Sequence, residues 1–501
     1  MARKDSRIKY NVMSGFVYQI VYLALSFILP RLYLDNFGSE VNGVLATIRQ
    51  IFMYLLLIEA GAGTATIQAL YKPIAQKQYD ISNSILSATK KFYARTGVVY
   101  TAAVLLFAVI YSFLVPTSIN SWTLFVIIIL TALPVIFSYF VQTKYRLLME
   151  VDGRNYVITT SETVLQLLSN IGKILVLLLT DSLVLIQVVY CVLSLIQMSY
   201  ICIYAKRKYK WLDFKVKPNF EAISQKNSVL VHHISGMVFN NTDVILISIM
   251  CDFKNASVYA VYNLFFSQIQ NFATRLTSGF NFALGQMFQV DRKKFQKIFS
   301  MYETLYMMCA FIIFTIMAVF LLPVIQLYTA GIDDAEYTNA ALLFLFVIMN
   351  ILANGKTPIQ QVMSYAGKFK ETRSHAIIEM VLNLSVSVVS ILKWGVCGAI
   401  LGSVVALLVR AVITSHYVNK KILERNQMKM YKLWIINGLV FASVMAIFFV
   451  DNFSGLGLGE LILKGIIHSV WIVSLYIAVN FIFQRSAFRT LFEIIKGDEK
   501  I

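Results

Sequence analysis

Apolar runs of about 20 residues, each closed by charged or turn-forming residues, recur along the whole chain. Their lengths predict fourteen membrane-spanning helices, at about 11–34, 42–70, 93–115, 122–143, 156–180, 183–204, 228–250, 257–288, 298–327, 337–364, 374–392, 396–418, 433–450 and 461–484. Nothing between them could build a soluble core, so the pattern predicts an all-α polytopic membrane protein. Span two contains Gly61 and Gly63 and span eight contains Gly279 and Gly285. Packed membrane helices accept glycine, and both spans are expected to be long and bent.

Charge gives the chain a direction. Lys and Arg stay on the cytoplasmic side of membrane proteins. With the N-terminus inside, 35 of the 44 basic residues fall on inner segments and three, Arg31, Lys254 and Lys393, on outer ones. Acids collect outside, in Asp35 with Glu40, Asp333 with Asp334 and Glu336, and Asp451 with Glu460. The split predicts a multi-pass protein of the cell membrane with both termini cytoplasmic. The net charge of +18 is then mostly topological, with some attraction to membrane lipids bearing anionic headgroups, and no nucleic acid is implied. Composition agrees with the span pattern, at 58% hydrophobic and 14% charged residues, against about 25% charged in ordinary globular domains. Five scattered cysteines lack metal-ligand spacing, so neither a disulfide framework nor a metal site is expected. The first apolar run is long enough to span and no small-residue cleavage site closes it, so it reads as an uncleaved helix. The outer loops are too short to hold a folded domain.

The chain contains a repeat. Asp35 to Val44 (DNFGSEVNGV) aligns with Asp252 to Val261 (DFKNASVYAV) at an offset of 217, and MEVDGR (149–154) aligns with MSYAGK (363–368) at an offset of 214. Six helices separate the copies, so both run the same way through the membrane, as in transporters built from two lobes about an axis along the membrane normal. The division expected is an N-terminal six-helix lobe (1–205), a basic cytoplasmic linker (206–227), a C-terminal six-helix lobe (228–418), helices thirteen and fourteen (419–484) and a cytoplasmic tail (485–501).

Enzymatic signatures are missing. NILANGKT (350–357) ends like a phosphate-binding loop, but Asn350 replaces the first glycine and the segment lies in an apolar span. GLGLGE (455–460) is an outer turn, and no nucleophile triad or cofactor motif appears. The chain reads as a non-enzyme without cofactor. Without a nucleotide-binding domain, uphill transport must draw on an ion gradient, the membrane potential or a partner.

Eleven ionisable residues fall inside predicted spans, where each costs a few kcal/mol unless paired or hydrated. Glu303, Glu379, Arg410 and Lys464 are near span ends and are expected to snorkel. Glu162 and Lys173 share a helix face about 16 Å apart along the axis, which suggests a wet face. Arg49, Glu59, Asp243, Arg275 and Lys356 are deeper. Through the repeat, Glu59 and Arg275 fall at similar depth in equivalent helices. Two readings stand: a buried pair fixing the lobes together, or a hydrated cavity whose bases hold an anion and whose acids tune or gate it. Asp243, in the run VFNNTDVILISIM (238–250), is either a proton or cation site or a helix-packing residue.

That run with DFKNASVYAVYNL (252–264) resembles the seventh-helix region of polysaccharide flippases in the multidrug/oligosaccharidyl-lipid/polysaccharide exporter superfamily. LPRLYLDNFGSEVNGV (29–44) and LLIEAGAGTATIQALYKPIA (56–75) are similar to the first helices and inner loop of Gram-positive capsule and exopolysaccharide flippases. The resemblance covers the whole chain in length, span count and repeat, without a catalytic fingerprint. It implies a V-shaped two-lobe fold with helices one, two, seven and eight around a cavity, and a C-terminal helix pair forming a groove for a lipid tail. It further implies alternating-access transfer of an undecaprenyl-pyrophosphate-linked oligosaccharide from inner to outer leaflet, with the polysaccharide polymerase and assembly machinery as partners. On that reading Arg49, Arg275 and Lys356 hold the pyrophosphate, Asn240, Asn241 and Gln268 bond the sugars, and Glu59, Asp243, Glu162 and Lys173 couple or gate. A cation-coupled multidrug exporter would present acids to cationic drugs, which the deep bases oppose. A membrane-bound polymerase or glycosyltransferase would need catalytic acids in outer loops longer than these.

Overall fold

The computed structural model describes residues 2–59, 62–223, 227–448 and 457–495, with the side chains of 2–25, 64, 75, 227–233, 272–283, 286, 289, 458 and 495 outside the description. The described residues contain helices and no strands. The chain divides into two compact units, Met1–Met237 and Val238–Ile501. The predicted spans fall largely within described helices, although the helix of the third begins at Tyr79 rather than at 93 and the second is broken after Leu55; ten described helices are long and apolar enough to cross a membrane.

The first unit is built from α1 (Ala2–Leu55), α2 (Ala62–Ala75), α3 (Tyr79–Leu114), α4 (Ser121–Phe137), α5 (Thr143–Val151), α6 (Asn155–Leu179) and α7 (Leu183–Lys208). α1 is two helices joined at Gly38, whose φ of 77° and ψ of 179° interrupt the helix. The expected second span is interrupted rather than merely bent. α1 ends at Leu55, and a 3-10 turn over Leu56–Glu59 precedes α2. Polar residues set the other boundaries: Asn120 caps α4 by accepting from the N–H of Trp122 at 3.0 Å, and Ser182 caps α7 through Leu185. The basic segment after α7 is no free linker. Trp211 stacks on Tyr79 with ring centroids 4.6 Å apart, and Asn83 of α3 donates to the Trp211 carbonyl and accepts from the Asp213 N–H.

α8 (Asn227–Met250) crosses the division between units. The second unit continues with α9 (Phe253–Val290), α10 (Arg292–Tyr328), α11 (Ala340–Gly355), α12 (Thr357–Tyr365), α13 (Arg373–Lys421), α14 (Met428–Phe448), α15 (Leu458–Phe483) and α16 (Arg485–Ile495). α13 is a hairpin of two crossings turned at Gly395, at φ 52° and ψ −131°, a region that only glycine enters without strain. Its arms lie close because Gly398 and Gly402 have no side chain: a Cβ at either would overlap the backbone of Ser390 or Ser387 on the opposite arm. The segment expected as the tail, 485–501, begins with the helix α16. Ala487, Leu491 and Ile494 pack into the core of the second unit, Phe488 packs edge-on against Phe481 of α15, and Glu493 bonds Lys297 of α10 at 2.8 Å.

The repeat has a structural counterpart. The turn after α5 carries Gly153 at φ 70° and the turn after α12 carries Gly367 at φ 65°, 214 residues later. Both close the preceding helix by the same pair of bonds, Arg154 N–H to the Met149 carbonyl at 2.8 Å and Lys368 N–H to the Met363 carbonyl at 3.2 Å. The same span is interrupted in each unit, by a π turn over Ser138–Gln142 in the first and at Lys356, between α11 and α12, in the second. Outside the packed faces, large apolar side chains such as Leu106, Leu179, Val389 and Leu392 remain exposed, as a lipid-facing surface requires.

Candidate functional site

Two groups of the predicted ionisable residues stand out in the first unit. Glu59 closes the 3-10 turn and is surrounded by tyrosines of the neighbouring helices. The hydroxyl of Tyr139 approaches it without full hydrogen-bond geometry, and Tyr93 and Tyr100 lie within Coulombic reach. The three rings pack on one another, with Tyr100 edge-on to Tyr139 at 5.3 Å. Glu162 of α6 bonds Arg146 of α5 at 2.6 Å in a half-exposed ion pair. The second group is cationic. Lys173 of α6 lies over the face of Tyr190 of α7, 4.9 Å from the ring centroid, and the guanidinium of Arg49 on α1 is the charge within its Coulombic reach. Arg49 is exposed and its Nε donates to the Leu45 carbonyl at 3.2 Å. Among the described residues no carboxylate pairs with Lys173. Glu162 and Lys173 share a helix, but one is ion-paired and the other is held by an aromatic face.

In the second unit Asp243 is 3% exposed and faces the α13 hairpin. Its Oδ2 accepts from the Ser403 hydroxyl at 2.8 Å and from the Tyr259 hydroxyl at 3.4 Å. Ser403 in turn accepts from the Asn383 amide at 2.8 Å, and the Ser387 hydroxyl donates across the hairpin to the Ala399 carbonyl at 3.0 Å. Oδ1 of Asp243 and Oδ1 of Asn383 are buried without a hydrogen-bond partner. Asp243 and Asn383 are thus joined through Ser403, and each keeps one buried oxygen without a hydrogen-bond partner, an oxygen that could accept a proton or another donor.

The expectation that Glu303, Glu379 and Arg410 snorkel is corrected. All three are buried, at 3%, 7% and 3% exposure. Glu379 bonds Lys356 through one oxygen, and Nη1 of Arg410 lies 3.8 Å from the other. Glu303 is held by Arg425 at 2.7 Å. These groups start near span ends, but the helices packed around them close off the route to water. Lys464, by contrast, is exposed. Lys356 also faces the Phe239 ring at 5.5 Å. The NILANGKT segment is helix interior on either side of this lysine: Gly355 makes room for the Trp434 indole, and Asn354 donates to Gln270 at 2.6 Å.

Of the remaining predicted site residues, Asn240 is exposed, Asn241 half-buried and Gln268 buried with its Oε1 unpartnered. The side chain of Arg275 lies outside the described residues. The fold brings together Arg146 with Glu162 and Lys356 with Glu379. Sequence reasoning missed the tyrosines around Glu59 and the α13 partners of Asp243. The small-residue spacing of Gly398 and Gly402, which marks a close helix crossing, is the signal that could have found the latter.

No family model and no curated protein matches the chain. Solved structures do. The lipid II flippase MurJ in an inward closed conformation aligns with a TM-score of 0.69 at 14% identity, over 95% of this chain and 99% of that one. An inward-facing multidrug resistance MATE family transporter of the MOP superfamily gives 0.59 at 13% identity, over 86% and 98%. A MOP superfamily transporter from Pyrococcus furiosus gives 0.52 at 14%, over 84% and 96%. At these identities the likeness is one of architecture, and it gives this chain the all-α, multi-pass fold shared by MurJ and the MATE transporters of the MOP superfamily.

Proposed function

We propose that this chain is a flippase that carries undecaprenyl-pyrophosphate-linked oligosaccharide units from the inner to the outer leaflet of the plasma membrane by alternating access, for cell-surface polysaccharide synthesis. The observation that carries the reading is Lys173 lying over Tyr190 with Arg49 as its charged neighbour. A cation at membrane depth costs a few kcal/mol, and a second cation beside it adds repulsion. A pyrophosphate beside Lys173 removes its cost, and a planar Arg49 fork suits the same oxygens. A solved structure of this fold is, by name, a lipid II flippase.

Within this reading Asp243 couples transport to a proton or cation, supported by the two orphaned oxygens at its site. Glu59, amid its tyrosines, and the Arg146–Glu162 pair gate. Asn240, Asn241 and Gln268 contact sugars, and Arg275 stays in the proposal on sequence grounds. Lys356, held by Glu379, supports the interior charge pattern more than it contacts substrate. Both termini lie in the cytoplasm, by the distribution of basic residues, and a polymerase with its assembly machinery receives the flipped unit.

The test is depletion of the protein followed by identification of the lipid-linked glycan that accumulates. Completed pyrophosphate-linked units shielded on the inner leaflet are expected. Outward-facing unpolymerised units would point to a polymerase, and loss of drug resistance without glycan accumulation to a drug exporter.

A further inference from the structure

We propose that the second unit carries a binding groove for an anionic phospholipid of the inner leaflet, separate from the transport site. A groove of about 460 Å³ lies between the ends of the α13 hairpin and the start of α14. Its lining combines apolar Val412, Ile413 and Tyr431 with basic or titratable His375, His416, Lys420 and Lys421, most of them from one side of α13. Lys420 and Lys421 are exposed and make no ion pair among the described residues. His416 is oriented through its Nδ1, 3.0 Å from the Gln427 amide oxygen, which leaves Nε2 for another partner. His375 contacts Thr414 through its Nδ1 at 3.4 Å and packs edge-on against Tyr417 at 5.8 Å. Glu371 is paired with Lys368 and Glu303 with Arg425, while Glu424, three residues beyond Lys421, is exposed and forms no ion pair among the described residues.

The order of these residues along α13 identifies the ligand. Val412 and Ile413 fall inside the apolar stretch 396–418 of the sequence, whereas Lys420 and Lys421 stand just beyond it, in the last turn of α13. The helical rise separates the two levels by about 12 Å, the distance from upper acyl chain to headgroup phosphate. A soluble phosphate would use the basic side chains alone. A phospholipid with one negative headgroup uses both, its phosphate on the lysines and its first methylenes on Val412, Ile413 and Tyr431. The volume suits a headgroup and the start of its chains rather than a whole lipid. The assignment to the inner leaflet rests on the orientation proposed above.

The test is native mass spectrometry of the full-length protein in neutral detergent, titrated with phosphatidylglycerol and, separately, with phosphatidylcholine. Bound phosphatidylglycerol is expected to exceed phosphatidylcholine. The preference should fall about fivefold for Lys420→Gln or Lys421→Gln, and further for the pair, since one basic residue contributes about that much at an anionic surface. Lys429→Gln with Lys432→Gln removes the same charge outside the groove and should leave the preference intact. Equal loss in that control would reduce the effect to surface charge and overturn the groove. An unchanged preference in the Lys420/Lys421 pair would do the same. Displacement of bound phosphatidylglycerol by millimolar inorganic phosphate would replace the lipid with a free anion. The readout is binding alone, so it stands apart from whether the chain transports a glycan.

Discussion

In the second unit Lys356 and Arg410 share the carboxylate of Glu379, and Arg425 is clamped to Glu303. In the first, Lys173 rests on the Tyr190 ring with Arg49 as its charged neighbour. Both units place cations at membrane depth and meet the cost differently. A carboxylate neutralises a buried cation permanently, and removing it strands the charge. An aromatic face offers about 0.5–2 kcal/mol of attraction and leaves the cation able to receive an anion. The second unit's pairs therefore read as structural, and on the proposed function Lys173 is the first-unit cation left able to receive a mobile negative group.

The comparison breaks most readily at Glu379. Replacing Glu379 with Ala strands Lys356 and Arg410, and the purified protein should lose about 3–5 kcal/mol of stability, read as a large drop in thermal unfolding temperature. A matching temperature for Lys173→Met and Glu379→Ala would erase the distinction between units, because Lys173→Met removes only a cation–π contact and should change stability by about 1 kcal/mol or less.

A smaller effect is expected at the hairpin that builds the Asp243 site. Gly395→Ala forces a side chain into a conformation only glycine adopts freely and should cost about 1–3 kcal/mol. The first unit makes the corresponding turn between α6 and α7 without glycine, so Asp181→Ala should be close to neutral. Equal tolerance in thermal melts would show that the hairpin does not depend on Gly395. The smallest effect belongs to Arg146→Gln, which breaks a pair whose members are 44% and 27% exposed. About 0.2–1 kcal/mol is expected, and a loss as large as that of Glu379→Ala would mean the pair is structural after all.

The spans were legible because apolar length is a one-dimensional signal. The turn pair Gly153 and Gly367 shows that the repeat was legible too, since each half keeps the same turn residue. Asp243 stood out as a charge in an apolar run, but its partner Ser403 lies 160 residues away and meets it only through the α13 hairpin. Glu379 and Arg410 were misread for a related reason. Nearness to a span end predicts access to water only where no other helix covers that end, and here Lys356 and the α13 arms cover it. The tyrosines around Glu59 come from α3 and the π turn after α4, and nothing in their own neighbourhoods marks them as neighbours of an acid. α16 was missed because eleven residues are too few to span, although the spacing of Ala487, Phe488, Leu491 and Ile494 already gives one apolar face.

The most direct test of the anion site is surface-polymer output of cells carrying Lys173→Glu, at membrane abundance matched to the unaltered protein and alongside Lys173→Arg. If Lys173 holds a pyrophosphate with Arg49, reversing its charge should reduce output by tenfold or more, and Lys173→Arg should retain a measurable part because the positive charge survives. Near-normal output from Lys173→Glu would contradict the account and leave the first unit's cations without a role in binding substrate.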